Sequence, residues 1–91
     1  MKPFNLEEAI NGKAFYLRNG YRGIIKYCVD DRLTKDEVTL RFAYVGYILD
    51  KNGFLYLPNA TWDKDGFSSG LSQYDAVEMW EEPKKQIRIE D

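Results

Sequence analysis

The sequence predicts a small, mainly β domain: an SH3-like, partly open antiparallel barrel of five or six strands with one short N-terminal helix. Three observations carry that expectation. Asn19-Gly20, Asn52-Gly53 and Asp65-Gly66 punctuate the chain between runs rich in aromatic and β-branched residues. Such pairs accept positive φ at little cost and are the residues that type I′ hairpin turns require. Seven Tyr, five Phe and two Trp in 91 residues favour a pleated surface, on which rings pack well. Between the turns the chain reads as five or six short strands with one small helix.

The elements follow in order. Asn5-Leu6-Glu7-Glu8-Ala9-Ile10-Asn11-Gly12 reads as a short helix over 5–11, with Asn5 as N-cap and Glu8 reaching back in a capping box. Glu7 and Glu8 suit the positive end of its dipole, and Gly12 suits the left-handed stop. Phe15–Arg18 and Arg22–Val29 flank Asn19-Gly20 as a hairpin. Asp30–Glu37 is a polar loop with room for one helical turn. Arg41–Asp50 reads as the strongest strand, with Phe42, Tyr44 and Ile48 on one face and Ala43, Val45, Tyr47 and Leu49 on the other. That pattern is expected of a central strand buried on both sides.

Asp50-Lys51-Asn52-Gly53 turns this strand into Phe54–Leu57, where Pro58 imposes an edge or a break. Ala60–Trp62 leads into the Asp63–Gly66 turn, Phe67–Gln73 is irregular, and Ala76–Trp80 is a last short strand. Pro83 ends it. One domain over 1–83 is expected, with 84–91 an exposed tail in which Ile87 and Ile89 could add an edge strand.

Composition narrows the chemistry. The apolar fraction of 44% suffices for a core without staples, and one cysteine excludes an internal disulfide. No apolar run approaches the roughly 20 residues of a membrane helix, and the N-terminus lacks the order of a secretion signal. A soluble, cytoplasmic protein is expected. The net charge of −2 is unevenly spread: residues 1–47 carry eight Lys/Arg against six Asp/Glu, and residues 48–91 carry five against nine. Between Asp63 and Glu82 the only base is Lys64.

Catalysis finds little support in the residues. Without histidine, the usual neutral-pH general base and metal ligand is missing. Cys28 has no imidazole to draw its proton and reads as a small core residue. The acid pairs Asp30/Asp31, Asp63/Asp65 and Glu81/Glu82 fall in turns or at strand ends, where a solvated pair costs little. Thr61–Gly66 resembles part of a calcium loop, but Thr61 stands at the first ligand position and Ser72 where a bidentate Glu is needed. No metal or cofactor is expected. Arg41–Tyr47 approaches the RNA-stacking strand of RRM domains but lacks its glycine after the basic residue, and no full helix precedes it. A milder groove for anionic ligands could use Arg18, Arg22, Lys26 and Arg41 beside Tyr16, Tyr21 and Tyr27. A pI near 5.1 argues against direct nucleic-acid binding.

The opening Met1–Lys13, Arg18-Asn19-Gly20, and then Trp62-Asp63-Lys64-Asp65-Gly66 with Ser72-Gln73-Tyr74-Asp75, Met79 and Pro83 form a recognisable set. It resembles a group of small bacteriophage and prophage proteins that open on this N-terminal phrase and close on W-x-x-D-G and S-x-x-D. The resemblance implies a phage origin and a small β domain, and it brings no catalytic or ligand residue. The shared residues also read as structural, with Asp75 accepting backbone N–H groups in a turn after Ser72.

The expected function is therefore a phage-encoded, non-enzymatic binding protein that occupies a host protein, such as an antiviral defence component. Its acidic stretch (Asp63, Asp65, Asp75, Glu78, Glu81 and Glu82) would imitate phosphates toward a basic channel. The alternatives are a nucleotide binder or sequestering oligomer using Arg18, Arg22, Arg41, Tyr16 and Tyr21, and a virion structural protein. A homodimer is compatible with either.

Overall fold

The computed structural model describes residues 2–81. Glu82, the expected boundary at 83 and the expected tail over 84–91 lie outside the described residues. One unclosed antiparallel sheet is built from β1 (Phe15–Leu17), β2 (Arg22–Cys28), β3 (Tyr44–Leu49), β4 (Leu55–Trp62) and β5 (Ala76–Met79), in the order β4-β3-β2-β1-β5. Two short helices, α1 (Leu6–Ile10) and α2 (Glu37–Arg41), and helical turns at Asp31–Leu33 and Ser72–Tyr74 complete it. The ladder does not close, but the loop after β4 runs back to the start of β5. There Ala76 donates its N–H to the Gly66 carbonyl (2.8 Å), and Ser68 donates its N–H to Asp75 Oδ1 (2.8 Å).

All three turn glycines take the left-handed conformation, with φ of +89°, +89° and +91° at Gly20, Gly53 and Gly66. The loops they close are three residues long rather than two. In each, the residue before the loop accepts the glycine N–H and donates its own N–H beyond the glycine: Leu17 with Gly20 and Tyr21, Asp50 with Gly53 and Phe54, Asp63 with Gly66 and Phe67. This is the three-residue hairpin connection, in which a single left-handed residue suffices. The side chains of Asn19, Asp50 and Asp63 each accept loop N–H groups, which is why these residue types stand there.

Both helices start on a side-chain cap. Asn5 Oδ1 accepts the Glu8 N–H at 3.0 Å, but the expected capping box forms only by half, because the Glu8 carboxylate turns to the Lys2 ammonium at 2.7 Å. Asp36 Oδ2 accepts the Thr39 N–H at 2.8 Å and so starts α2. This corrects the expected strand start at Arg41: that residue ends α2, and β3 begins at Tyr44. A second correction concerns Cys28, which is exposed at the end of β2. A bulge at Lys26 breaks the β2–β3 register and leaves Lys26, Tyr27 and Cys28 outside the core. β3 is an interior strand, paired with β4 on one side and β2 on the other, but only its Gly46 and Ile48 side is fully buried. β4 is an edge strand, as Pro58 requires, and it continues past Pro58 to Trp62 with two breaks of register.

The core lies on one face of the sheet: Ala9 from α1 with Phe15, Leu17, Ile25, Ile48, Trp62 and Met79. Phe4, Phe15 and Trp62 meet edge to face at 5.2 and 5.0 Å, and Trp62 donates its indole N–H to the Tyr74 carbonyl at 2.9 Å. The rings need room. A Cβ at Gly23 would sit 2.5 Å from the Phe15 ring, and one at Gly46 would overlap the Ile24 carbonyl oxygen.

Candidate functional site

Side chains alternate along a strand, so the residues between the core positions face the other way. Cross-strand register assembles them into rows. Leu55, Leu49, Arg22, Tyr16 and Glu78 line up across all five strands. Beside them Tyr47 pairs with Ile24, and Trp80 follows Glu78 on the same face, its N–H donated to the Ala14 carbonyl at 3.1 Å. A third row joins Thr61, Val45 and Tyr27. The Arg22 guanidinium carbon lies 5.5 Å from the Trp80 ring centroid, and the Lys26 ammonium 6.0 Å from that of Tyr47. The helix α1 packs on the opposite face through Ala9. A half-solvated antiparallel sheet normally presents polar residues outward; this one presents aliphatic and aromatic residues crossed by two cations.

A second arrangement occupies the hairpin end of the sheet. Arg18 donates to the Ser72 carbonyl at 3.3 Å and to Asp75 Oδ2 at 3.5 Å, while the Arg18 and Asn19 N–H groups bond the carbonyls of Asp75 and Gln73 at 2.9 and 3.0 Å. The N-terminal and C-terminal phrases of the motif set therefore meet as one clasp. It holds Tyr74 against Tyr56, hydroxyl to hydroxyl at 3.3 Å, and Tyr56 stands edge-on to Tyr21 at 4.8 Å. The hydrogen bond and charge of Tyr74 raise the Tyr56 hydroxyl above the usual tyrosine range. Asn19, Tyr21, Asp50, Lys51, Asn52, Tyr56 and Gln73 line a groove of about 470 Å³ beside it.

The expected acidic residues do not gather on one surface. Asp63 and Asp75 are buried: Asp63 accepts the Asp65 and Phe67 N–H groups and faces Arg41 at 3.7 Å, and Asp75 holds Ser68 and Arg18. Asp65 is exposed in its turn. Glu78 lies on the outer face beside Tyr16, and exposed Glu81 acts electrostatically on Lys2.

Of the alternative ligand set, the sheet brings Tyr16 and Arg22 together. Tyr21 joins the groove, Arg18 belongs to the clasp, and Arg41 lines a separate hollow of about 290 Å³ with Asp63 and Asp65. Among the described residues no group of three or more His, Cys, Asp or Glu is placed to hold a metal ion, and no helix is long and apolar enough to cross a membrane. Alternation in β3 had already put Val45, Tyr47 and Leu49 on one side. What sequence reasoning missed was Trp80 and Leu55 beside them, because only pairing across strands joins those positions.

Comparison with known proteins adds an origin. Residues 1–82 match the family model described as Haemophilus phage HP1 protein YO09. No curated protein and no solved structure matches the chain.

Proposed function

We propose that this chain, which belongs to the Haemophilus phage HP1 protein YO09 family, is a phage-encoded, non-enzymatic binding protein that engages a host protein through the outer face of its sheet. The observation that carries this reading is the gathering of Tyr16, Tyr47, Trp80 and Arg22 on that face, with Ile24 and Leu49 beside them and Leu55 at the β4 end of the row. Tyr, Trp and Arg dominate the binding energy of protein interfaces, because each buries a large area and keeps a polar handle. A rigid sheet holds them in place, which lowers the ordering cost of association. Glu78, paired with Tyr16 at the β5 end of the row, sets an acidic group at the margin of this face that would favour a basic partner. Membership in a phage family supports a host target, and a component of antiviral defence is the target class we propose. The absence of histidine from the chain suits binding rather than turnover.

A Tyr47→Ser, Trp80→Ser double variant tests the reading against Glu7→Lys on α1. The double variant should bind the host partner at least about thirtyfold more weakly, as loss of a hot spot does, while Glu7→Lys binds as wild type. Circular dichroism should show both folded. A partner that holds the double variant as tightly as wild type would overturn the outer-face assignment. The two cations over aromatic rings also suit single-stranded nucleic acid. In that case affinity would fall steeply with salt, and a bound polynucleotide rather than a protein would be recovered.

A further inference from the structure

The groove at the hairpin end is separate from the proposed protein-binding face, and its lining has a chemistry of its own. We infer that it is a binding site for a sugar ring bearing a vicinal diol. Asn19 Oδ1 is taken by the Tyr21 N–H at 3.0 Å, which leaves its NH₂ as a donor. Asp50 Oδ1 accepts the Asn52 and Phe54 N–H groups at 2.9 and 3.0 Å, and Asp50 Oδ2 has no partner among the described residues. The Gln73 amide is likewise without a side-chain hydrogen bond among the described residues, and Lys51 without a carboxylate within 4.0 Å. Tyr56 is 47% exposed and edge-on to Tyr21, so part of its ring remains open to the groove.

This set has one acid, one base, carboxamides and an aromatic wall. The charges cancel, so nothing in it favours a highly charged ligand. A hydroxyl is donor and acceptor at once: each of two adjacent hydroxyls can donate to Asp50 Oδ2 and accept from an amide NH₂ or the Lys51 ammonium. The apolar C–H side of the ring then lies on Tyr56. The volume falls within the roughly 300–1,000 Å³ of small-molecule sites. Both turns are pinned by their own side-chain bonds, and the clasp fixes Gln73, so little ordering is needed when the ligand enters.

The diol could belong to a saccharide or to the ribose of a nucleoside, and one titration separates them. The side-chain amide signals of Asn19, Asn52 and Gln73 are followed by two-dimensional NMR as methyl α-glucopyranoside, adenosine or 2′-deoxyadenosine is added. Shifts of these amides with the glucoside, with adenosine, or with both support the inference and name the source. No shift with either diol would overturn it, as would an adenosine shift that 2′-deoxyadenosine reproduces in full while the glucoside gives none. The exposed Gln73→Ala variant should bind the active probe about tenfold more weakly, with an unchanged melting temperature. Unaltered binding by this folded variant would also count against the site.

Discussion

Gly46 stands opposite Ile25 in the β2–β3 ladder, where any side chain would collide with the Ile24 backbone. Backbone cannot rotate away as a flexible side chain would, so Gly46→Ala must spread the two strands that carry Ile25 and Ile48 into the core. A loss of about 3 kcal/mol or more is expected in urea unfolding; a variant as stable as wild type would contradict the close approach. Ion pairing at Glu8 acts through pH. The Lys2 ammonium holds the Glu8 carboxyl below its ordinary range, and Arg32 and Thr39 do the same for Asp30 and Asp36. A carboxyl lowered in the folded state contributes stability that is present above its unfolded value of about 4 and is lost as pH falls through the folded value. Lys2 has the opposite sign: its pKa is raised, so its contribution is complete below about 10.4 and fades at higher pH. Calorimetry from pH 6 down to about 2 should show a shallower fall in Tm for Glu8→Gln than for wild type. Equal slopes would rule out a contribution from the pair.

The clasp between the β1–β2 turn and the Ser72–Tyr74 turn joins segments more than fifty residues apart in sequence. Asp75 is buried and satisfies the Ser68 N–H, whereas Arg18 is more than half exposed and reaches Asp75 only at 3.5 Å. Removing the buried acceptor strands a backbone donor, so Asp75→Ala should cost about 2 kcal/mol. Arg18→Ala should cost about 1 kcal/mol or less, as exposed ion pairs do. Chemical denaturation of the two variants checks the order, and a larger loss for Arg18→Ala would contradict it. Local chemistry was readable at this scale: the three glycine turns, the Asn5 cap and the edge position of Pro58 each follow from one residue's backbone preference. The helix α2 was not read: Asp36 caps it through the Thr39 N–H, but the apolar run that follows suggested an earlier strand start. The clasp was not readable, because nothing in Arg18 or Asp75 alone names its partner. Trp80 joins Arg22 for the same kind of reason, through pairing of β5 with β1 and β1 with β2.

Seen whole, the sheet has one face committed to the core and one left aromatic. Its two edges are defended differently. β5 is covered by the N-terminal segment, with Met79 N–H on the Lys2 carbonyl at 2.8 Å. β4 carries Pro58 and two breaks of register, devices that obstruct continuous pairing with another strand. Exposed Phe54, Leu55 and Tyr56 therefore add apolar surface without offering an even ladder. Light scattering at micromolar concentration should find a monomer. A dimer that dissociates in a Leu55→Lys variant would show that the β4 edge pairs after all.

Site-specific photocrosslinking in lysate of the host bacterium measures the use of the outer face most directly. A photoreactive residue is placed either at Tyr47 on that face or at Glu7 on α1, which packs on the other. A single host protein crosslinked from position 47 and not from position 7 is the predicted result. Crosslinking of the same protein from position 7 alone, or equally from both, would contradict a sheet face built for recognition.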